Sequence, residues 1–485
     1  MRPLEITYLL LNLPLLAWCL LNLPVPGWAR IVPAITVLFI ALDIAIEGAR
    51  WTMAPAVVVT VSLFFVCTWP RTAQLGRWGS LAMMGLLLIA GTLETLLPVF
   101  ELPKPTGGYF IGTVTRHLID AGRQETQGDK AGGPRELMIQ IWYPTDHAGR
   151  GQSYRSPDEV SLIKQHLALV QTHAAPGVPF AATPSRFPLV LFAPSWTGRR
   201  NQNTVQAEEL ASHGFIVVGI DHPYSTDLTI YPDGRKVRST LPEFLDCSSD
   251  ETVAACVRVA NDQLNLRTAD VRFVLDELER LDRADPNGLL TGQIDTERVG
   301  IFGHSFGGAV AAEMCRTDAR IKAGANYDGL LFGAALEQGI GKPFLFLMDG
   351  TPEPTDEELR TTKGPWLREL ILVAENVECI RYAHPEARGY WVSVKGASHM
   401  NFCDSPLYTP IKRLTHAGPI STNRSMEIIN AYTLSFFNAY LNDQDDHLLD
   451  APVPQYPEVQ IEGLYTSERA LHYTKAQNHF AKEHP

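Results

Sequence analysis

Residues 299–308 read Val-Gly-Ile-Phe-Gly-His-Ser-Phe-Gly-Gly, and this stretch decides the fold that the sequence predicts. The apolar run Val299–Phe302 is typical of a strand, and a G-x-S-x-G turn follows it directly. A serine at a tight turn between a strand and a helix is held in strained backbone geometry with its hydroxyl exposed. We expect Gly303 and Gly307 to remove Cβ atoms that would collide with the neighbouring strand and helix. The stretch therefore predicts a nucleophilic serine, Ser305, at the edge of a sheet.

Short apolar runs on both sides of this turn alternate with helical patterns. The runs predicted as strands are Leu137–Tyr143, Pro188–Phe192, Ile216–Ile220, Val299–Phe302 and Pro343–Met348. The stretches predicted as helices are Val205–His213, Asn261–Leu281 and Gly308–Cys315. Continuous apolar strands are typical of a parallel sheet that is covered on both faces. The alternation of strands and helices therefore predicts an α/β fold with a mostly parallel central sheet.

A nucleophilic serine needs a base, and the base needs an acid that orients it. When the serine lies in such a strand–turn–helix motif, the chain order is serine, acid, histidine. His399 follows a predicted strand and a turn of small residues, Gly-Ala-Ser, which places it at the carboxyl edge of the sheet. His384 lies instead in a polar segment, Ala-His-Pro-Glu. We therefore predict that His399 is the base.

Two aspartates are candidates for the orienting acid. Asp328 lies in Ala-Asn-Tyr-Asp-Gly, after the strand that follows the Ser305 helix. Asp349 lies in Leu-Met-Asp-Gly, one strand later. Both positions place a carboxylate at the carboxyl end of a strand, so the residue pattern alone leaves the two alternatives open.

The first 105 residues differ in character from the rest of the chain. They carry a net charge of +1, whereas the whole chain carries −12. Four apolar runs fill them: Tyr8–Leu23, Ile31–Ile46, Met53–Trp69 and Leu81–Phe100. Each run is close to the roughly 20 residues that span a bilayer. We predict a transmembrane region of about four helices over 1–105 and a catalytic α/β domain over 106–485; the alternative is a buried helical subdomain of a soluble protein.

The predicted topology is that of an integral, multi-pass membrane protein with the lipid bilayer as a partner. Three basic residues fall on each side of the four predicted helices. The positive-inside rule therefore does not decide on which side the catalytic domain lies.

Composition excludes some functions and leaves others open. With 41 Lys+Arg against 53 Asp+Glu, the chain is acidic, which argues against nucleic acid as a partner. Neither a CxxC motif nor a Cys/His cluster at zinc spacing occurs, so we expect no metal. Cys247 and Cys256 are close enough in sequence to form a disulfide, and a pair of free thiols is the equal alternative.

Several segments together resemble the platelet-activating factor acetylhydrolase family of the α/β-hydrolase superfamily. They are Gly-His-Ser-Phe-Gly-Gly at 303–308, Asp328, Gly-Ala-Ser-His-Met-Asn-Phe at 396–402, and the stretches 141–144, 187–198 and 210–222. The resemblance covers about residues 106–440, in matching order and with most spacings preserved. It does not extend to the four N-terminal helices. It also departs from the family at the first oxyanion turn, where Pro194-Ser195 replaces His-Gly.

The resemblance implies an α/β-hydrolase fold, no cofactor, and Asp328 rather than Asp349 as the acid. One oxyanion donor is expected to be the backbone N–H of Phe306, the residue after the nucleophile. By position, the resemblance assigns the second donor to the backbone N–H of Trp196. The implied substrates are short-acyl esters or phospholipid acyl groups.

We therefore predict a membrane-anchored serine ester hydrolase that works through an acyl-enzyme on small-molecule or lipid esters. The alternative is a membrane sensor or transport-associated protein whose hydrolase-like domain binds a ligand without catalysis. The complete Ser305, Asp328, His399 order argues against that alternative, because a binding module does not need all three residues.

Overall fold

The computed structural model describes residues 1–21, 23, 26–68, 76–242, 250–351, 355–361, 374, 376–377 and 389–463. The chain divides into two compact units. The first unit consists of Met1–Leu102 together with Ser153–Thr172 and Leu407–Thr415. The second unit consists of Pro103–Gln152, His173–Pro406 and His416–Pro485. Cys247, the predicted disulfide partner of Cys256, lies outside the described residues.

Four helices make up most of the first unit. They are α1 (Pro3–Leu20), α2 (Val32–Glu47), α3 (Ala54–Thr68) and α4 (Arg77–Leu96). Counted with the short 3₁₀ turns before α2 and α3, they form four segments of 18–21 residues that are long and apolar enough to cross a membrane. The prediction of four long apolar helices in this part of the chain is confirmed.

The helical unit buries polar side chains beside a buried apolar cluster, and it also exposes many large apolar side chains. Glu5 and Arg50 form an ion pair with both side chains 1% exposed, and Asn12 Nδ2 donates to Thr60 Oγ1 at 2.9 Å. The large apolar residues that are more than half exposed on this unit's helices and turns include Leu10, Leu21, Trp28, Ile31, Leu38, Ile46, Trp78 and Leu88. A monomeric water-soluble domain rarely exposes so many large apolar side chains, and such a surface is typical of a membrane or protein interaction.

The second unit is built on a ten-stranded sheet in the order β12-β11-β10-β9-β8-β4-β5-β2-β1-β3. The strands of this sheet are β1 (Phe110–Gln124), β2 (Pro134–Thr145), β3 (Ala174–Pro176), β4 (Phe187–Ala193), β5 (Ile216–Asp221), β8 (Ile294–His304), β9 (Ile321–Tyr327), β10 (Phe344–Asp349), β11 (Gly389–Val394) and β12 (Val459–Gly463). A separate hairpin pairs β6 (Leu228–Ile230) with β7 (Lys236–Arg238). The central strands β5, β4, β8, β9, β10 and β11 run parallel. All five predicted strands are present, and the predicted mostly parallel α/β sheet is confirmed.

Helices cover both faces of this sheet. The helices of this unit are α5 (Thr204–Ser212), α6 (Asp250–Arg283), α7 (Phe306–Thr317), α8 (Ala334–Gln338), α9 (Asp356–Thr361) and α11 (Thr422–Leu441); a further short helix, α10 (Lys412–Thr415), belongs to the helical unit. Helices α6 and α7 share one buried apolar cluster with the sheet, and α5 and α11 share the other. Because neighbouring parallel strands end at the same edge, the residues after β4, β8, β9 and β10 meet there.

Candidate active site

The turn between β8 and α7 is strained and tightly packed. Ser305 has φ 56° and ψ −125°, a left-handed backbone conformation that side-chain-bearing residues rarely adopt. A Cβ on Gly303 would lie 2.0 Å from the carbonyl oxygen of Gly307, and one on Gly307 would lie 2.0 Å from that of Ala193. These contacts confirm that both glycines are needed for close packing, and they bring the end of β4 against the start of α7. The Ser305 N–H donates to the carbonyl of Tyr327 at 2.8 Å, which ties the turn to the end of β9.

Asp328 follows β9 directly and also has a left-handed backbone, with φ 53°. The side chain of Asn326 stabilises this turn through two hydrogen bonds. Its Oδ1 accepts from the N–H of Gly329 at 2.8 Å, and its Nδ2 donates to the carbonyl of Gly329 at 2.7 Å. The Asp328 carboxylate then lies 2.8 Å, through Oδ2, from Nδ1 of His399. Because an ionised carboxylate only accepts, this contact places a proton on Nδ1 and leaves Nε2 as the basic nitrogen.

Asp349 supports Asp328 instead of contacting the histidine. Its backbone N–H donates to Oδ1 of Asp328 at 2.7 Å. Its own carboxylate accepts from the N–H and hydroxyl of Thr351 at 3.0 and 2.7 Å. Burial and the charge of Asp328 raise the pKa of Asp349 above its ordinary value. The geometry thus joins Asp328, of the two predicted alternatives, to His399.

The pKa of His399 reflects opposing influences. Burial lowers it, whereas the hydrogen bond and charge of Asp328, together with the charge of Asp349, raise it, and the net pKa lies above the ordinary value. The side chain is nevertheless 45% exposed. A base that is both oriented and accessible from solvent suits transfer of a proton to and from a substrate.

The two predicted oxyanion donors lie on neighbouring turns. Phe306 is the first residue of α7, where backbone N–H groups have no partner within the helix. Trp196 follows β4, and its ring centroid lies 5.0 Å from that of Phe306. The Trp196 indole is held in place by donating to the carbonyl of Pro242 at 2.9 Å.

Sequence reasoning missed the residues that hold these turns together. Gln202 Oε1 accepts from the N–H of Ser195 at 3.0 Å, and its Nε2 lies 2.6 Å from Nδ1 of His304. His304 Nε2 in turn lies 3.0 Å from the carbonyl oxygen of His399. Burial, followed by the charge of His399, lowers the pKa of His304 to about 3, so its ring is neutral. The neutral ring of His304 accepts from Gln202 through Nδ1 and donates to the carbonyl of His399 through Nε2. Gln202 and His304 therefore connect the oxyanion turn with the nucleophile turn and the base.

Arg267 on α6 is the second residue that the sequence pattern did not reveal. Its side chain contacts the carbonyl oxygens of the Pro194–Trp196 turn and is almost fully buried. Burial lowers the pKa of Arg267 to about 9. The pattern of Asn261–Leu281 predicted only a helix, and no local signal marks one of its polar residues as a partner of a distant loop.

Among the described residues, no three His, Cys, Asp or Glu side chains are grouped so that they could hold a metal ion.

The parallel sheet, the strained serine turn after β8 and the aspartate–histidine pair together define the α/β-hydrolase class. Within that class, the profile of the family described as "Platelet-activating factor acetylhydrolase, isoform II" matches residues 138–453. The chain therefore belongs to this family, as its motifs predicted, and it is an ester hydrolase.

Individual relatives agree with this assignment. The chain is 24% identical over 409 residues to a "Probable 1-alkyl-2-acetylglycerophosphocholine esterase" of Arthroderma benhamiae, covering 77% of this chain and 96% of the relative. It is 25% identical over 298 residues to "Platelet-activating factor acetylhydrolase" of Canis lupus familiaris, covering 55% of this chain and 61% of the dog protein. Among solved structures, a ferulic acid esterase from Streptomyces cinnamoneus is 29% identical, with a TM-score of 0.58, and covers 75% of this chain and 99% of that one.

Proposed function

We propose that the protein is a membrane-anchored serine esterase that cleaves short-acyl esters through an acyl-enzyme. Ser305 Oγ attacks the ester carbonyl carbon while His399 Nε2 accepts the hydroxyl proton. The tetrahedral intermediate expels the alcohol, which takes that proton from His399. Water then attacks the acyl-serine, with His399 again as base, and releases the acid and free Ser305.

The observation that carries this proposal is the 2.8 Å contact between His399 Nδ1 and Asp328 Oδ2, beside the strained Ser305 turn. Asp328 holds the tautomer in which Nε2 is basic, and it stabilises the imidazolium that forms during attack. The serine hydroxyl is not activated by burial or charge of its own, so it depends on this neighbouring base.

The backbone N–H groups of Trp196 and Phe306 are proposed to bind the oxyanion. Hydrogen-bond donors that are already in place need no reorganisation when charge develops in the transition state. The loss of one such donor typically lowers the rate by about 10²–10³-fold.

Aromatic side chains lie next to the nucleophile. The ring of Phe306 contacts that of Trp196 at 5.0 Å and that of Phe332 at 5.7 Å between centroids. We propose that these rings line the acyl site. The names of the fungal and dog relatives suggest short-acyl glycerophospholipids, which are the substrate class that we propose.

Membrane anchoring is supported by the four apolar segments and by the outward apolar surface of the helical unit. Large exposed apolar surfaces mark sites of interaction with a membrane or a protein, and four segments of membrane-spanning length favour the membrane. We therefore expect the full chain to stay in the membrane fraction after alkaline carbonate washing and to be released by detergent. Release by carbonate alone would contradict the anchoring.

Hydrolysis of p-nitrophenyl esters from acetate to palmitate by the full chain in detergent tests the chemistry, with methyl ferulate and a short-acyl glycerophospholipid alongside. The wild-type rate should be highest on short acyl groups, and Ser305→Ala should lose about 10⁴–10⁶-fold in kcat. Ser239→Ala is the matched control at a serine away from the elbow and should remain active.

Equal rates for the wild type and Ser305→Ala would overturn the serine mechanism. Inactivity of both folded proteins on all these esters would favour the ligand-binding alternative. Preference for methyl ferulate over acetate would move the proposed substrate class to aromatic acids.

A further inference from the structure

Three successive carbonyl groups of the oxyanion turn converge on one buried guanidinium. Arg267 Nη1 donates to the carbonyl of Ser195 at 2.9 Å and lies 3.4 Å from that of Pro194. Its Nη2 donates to the carbonyl of Trp196. The whole residue is 1% exposed. Burying a cation costs free energy unless its N–H groups have hydrogen-bond acceptors. For Arg267, backbone carbonyl oxygens are the acceptors of both Nη atoms.

The carboxylate closest in sequence on α6 is engaged elsewhere. Asp270 accepts from Arg135 through both oxygens, at 3.1 and 2.7 Å, and its Oδ2 lies 2.9 Å from Nδ1 of His222. The Asp270 carboxylate thus forms its hydrogen bonds with Arg135 and His222, and Arg267 directs its donors to the turn. The charge of Asp270 still favours the charged form of Arg267 and partly offsets the effect of burial on its pKa.

The contact with Arg267 fixes the orientation of the Ser195–Trp196 peptide. The carbonyl of Ser195 and the N–H of Trp196 belong to the same planar trans peptide, so they point in opposite directions. Holding the Ser195 carbonyl against Arg267 therefore directs the Trp196 N–H away from α6. Within the described part of the chain, that N–H has no hydrogen-bond acceptor, whereas the preceding N–H, of Ser195, donates to Gln202 at 3.0 Å.

The turn lies directly against the nucleophile turn. The position of a Gly307 Cβ would be 2.0 Å from the carbonyl oxygen of Ala193 and 2.8 Å from that of Pro194. The Arg267 guanidinium carbon also lies 4.9 Å from the centroid of the Phe306 ring. Arg267 thus contacts the segments that carry both proposed oxyanion donors.

We propose that Arg267 is a positioning residue for the oxyanion hole, which holds the Ser195–Trp196 peptide so that its N–H faces the reacting carbonyl. The inference rests on the proposed serine mechanism. Without the guanidinium, the Ser195 carbonyl keeps only the N–H of Gly198, at 3.0 Å, as a donor among the described residues. The peptide is then less restrained and can turn its carbonyl oxygen toward the developing negative charge. Its positive charge also polarises the peptide and strengthens the N–H as a donor.

The test compares Arg267→Met, Arg267→Lys and Arg272→Met in the full chain in detergent. Arg272 lies on the same helix with its side chain 45% exposed, so its replacement controls for changes to α6. Reaction with a phosphonate ester, run to completion, counts the competent serines. The kcat and KM for p-nitrophenyl acetate are then expressed per competent site.

In Arg267→Met we expect kcat to fall by about 10²–10³-fold, the loss typical of one oxyanion donor, with KM nearly unchanged. Arg267→Lys should recover part of that kcat, because an ammonium group still donates to carbonyls but does not span three of them. Arg272→Met should equal the wild type. Binding of a trifluoromethyl ketone, whose adduct carries the oxyanion, should weaken across the series in parallel with kcat/KM.

A kcat within about twofold of wild type per competent site in Arg267→Met would overturn the inference, since one lost donor costs far more. If that variant does not fold, Arg267→Lys decides: an unchanged kcat and unchanged ketone affinity would overturn it. The two proposals fail separately. Full activity in Ser305→Ala refutes the serine mechanism, whereas an inactive Ser305→Ala beside a fully active Arg267→Met refutes only the role of Arg267.

Discussion

The helical unit and the active-site edge of the sheet both bury charged side chains, but they balance them differently. In the helical unit, Arg50 pairs with Glu5, and Arg2 pairs with Glu5 and Glu47 at 2.8 and 2.7 Å. At the active-site edge, Asp328 faces a histidine at 2.8 Å, and Arg267 faces backbone carbonyls.

The two kinds of pairing have different consequences for reactivity. An arginine–carboxylate pair cancels charge and leaves little for a reaction, whereas a carboxylate facing a histidine controls where a proton resides. We therefore expect changes at the sheet edge to act on rate and changes in the helical unit to act on stability.

The largest expected effect is that of Asp328→Asn. The amide does not select the Nδ1–H tautomer of His399 or stabilise the imidazolium, so kcat should fall by about 10⁴-fold while the protein remains folded. Hydrolysis of p-nitrophenyl acetate at saturating substrate measures this change. Asp349→Asn is the matched control, and a larger loss there than in Asp328→Asn would assign the acid to Asp349.

Arg50→Met should show the opposite profile. It leaves Glu5 buried with only Arg2 as a partner, and breaking a buried pair costs about 3–5 kcal/mol. Thermal unfolding in detergent should shift to lower temperature, while kcat per competent serine stays unchanged. The double variant Glu5→Gln/Arg50→Met should recover much of the loss, and a failure to recover would show that the pair does not act as a unit.

Two glycine-to-alanine changes compare packing in the two regions. At Gly303 the added Cβ meets the backbone oxygen of Gly307 at 2.0 Å, so Gly303→Ala should destabilise the fold by about 3 kcal/mol. At Gly85, inside α4, a Cβ meets nothing within 4 Å, and Gly85→Ala should stabilise its helix by up to about 1 kcal/mol. Yield and thermal unfolding of the two variants measure the contrast, and equal behaviour would contradict it.

The smallest effect concerns pH. His399 must be neutral to act as a base, so kcat/KM should rise as the pH passes its raised pKa. The Asp349 charge favours the protonated imidazole, so Asp349→Asn should lower that pKa and move the rise to lower pH. A pH–rate profile of both proteins checks the direction, and a shift to higher pH would contradict the assigned influence of Asp349.

Much of the fold was predictable because its signals are local. The apolar runs around 188–192, 216–220 and 299–302 predict buried parallel strands, and the glycines at 303 and 307 predict the close approach that the structure shows. The four apolar helices were equally clear from run length. The roles of Ser305, Asp328 and His399 stay predictions until activity is measured.

Other features depend on contacts between distant segments. The stretches 153–172 and 407–415 cluster with the N-terminal helices, although neither resembles them in sequence. Gln202 and Arg267 lie on a loop and on an amphipathic helix whose patterns indicate only solvent exposure and packing. Arg267 donates to backbone carbonyls, and Gln202 contacts the backbone and hydroxyl of Ser195 and the ring of His304. A residue pattern does not show which distant groups a side chain will contact.

The strands along the chain, the serine turn and the apolar character of the first 105 residues were predictable from the sequence, because backbone sterics and hydrophobicity act over a few neighbouring residues. The residue pattern alone left Asp328 and Asp349 open, and the family resemblance implied Asp328. The folded structure shows Asp328 at 2.8 Å from His399, and it alone reveals that Arg267 contacts the oxyanion turn. Those contacts join residues about 70 positions apart, and their geometry depends on how adjacent strands and a covering helix pack together.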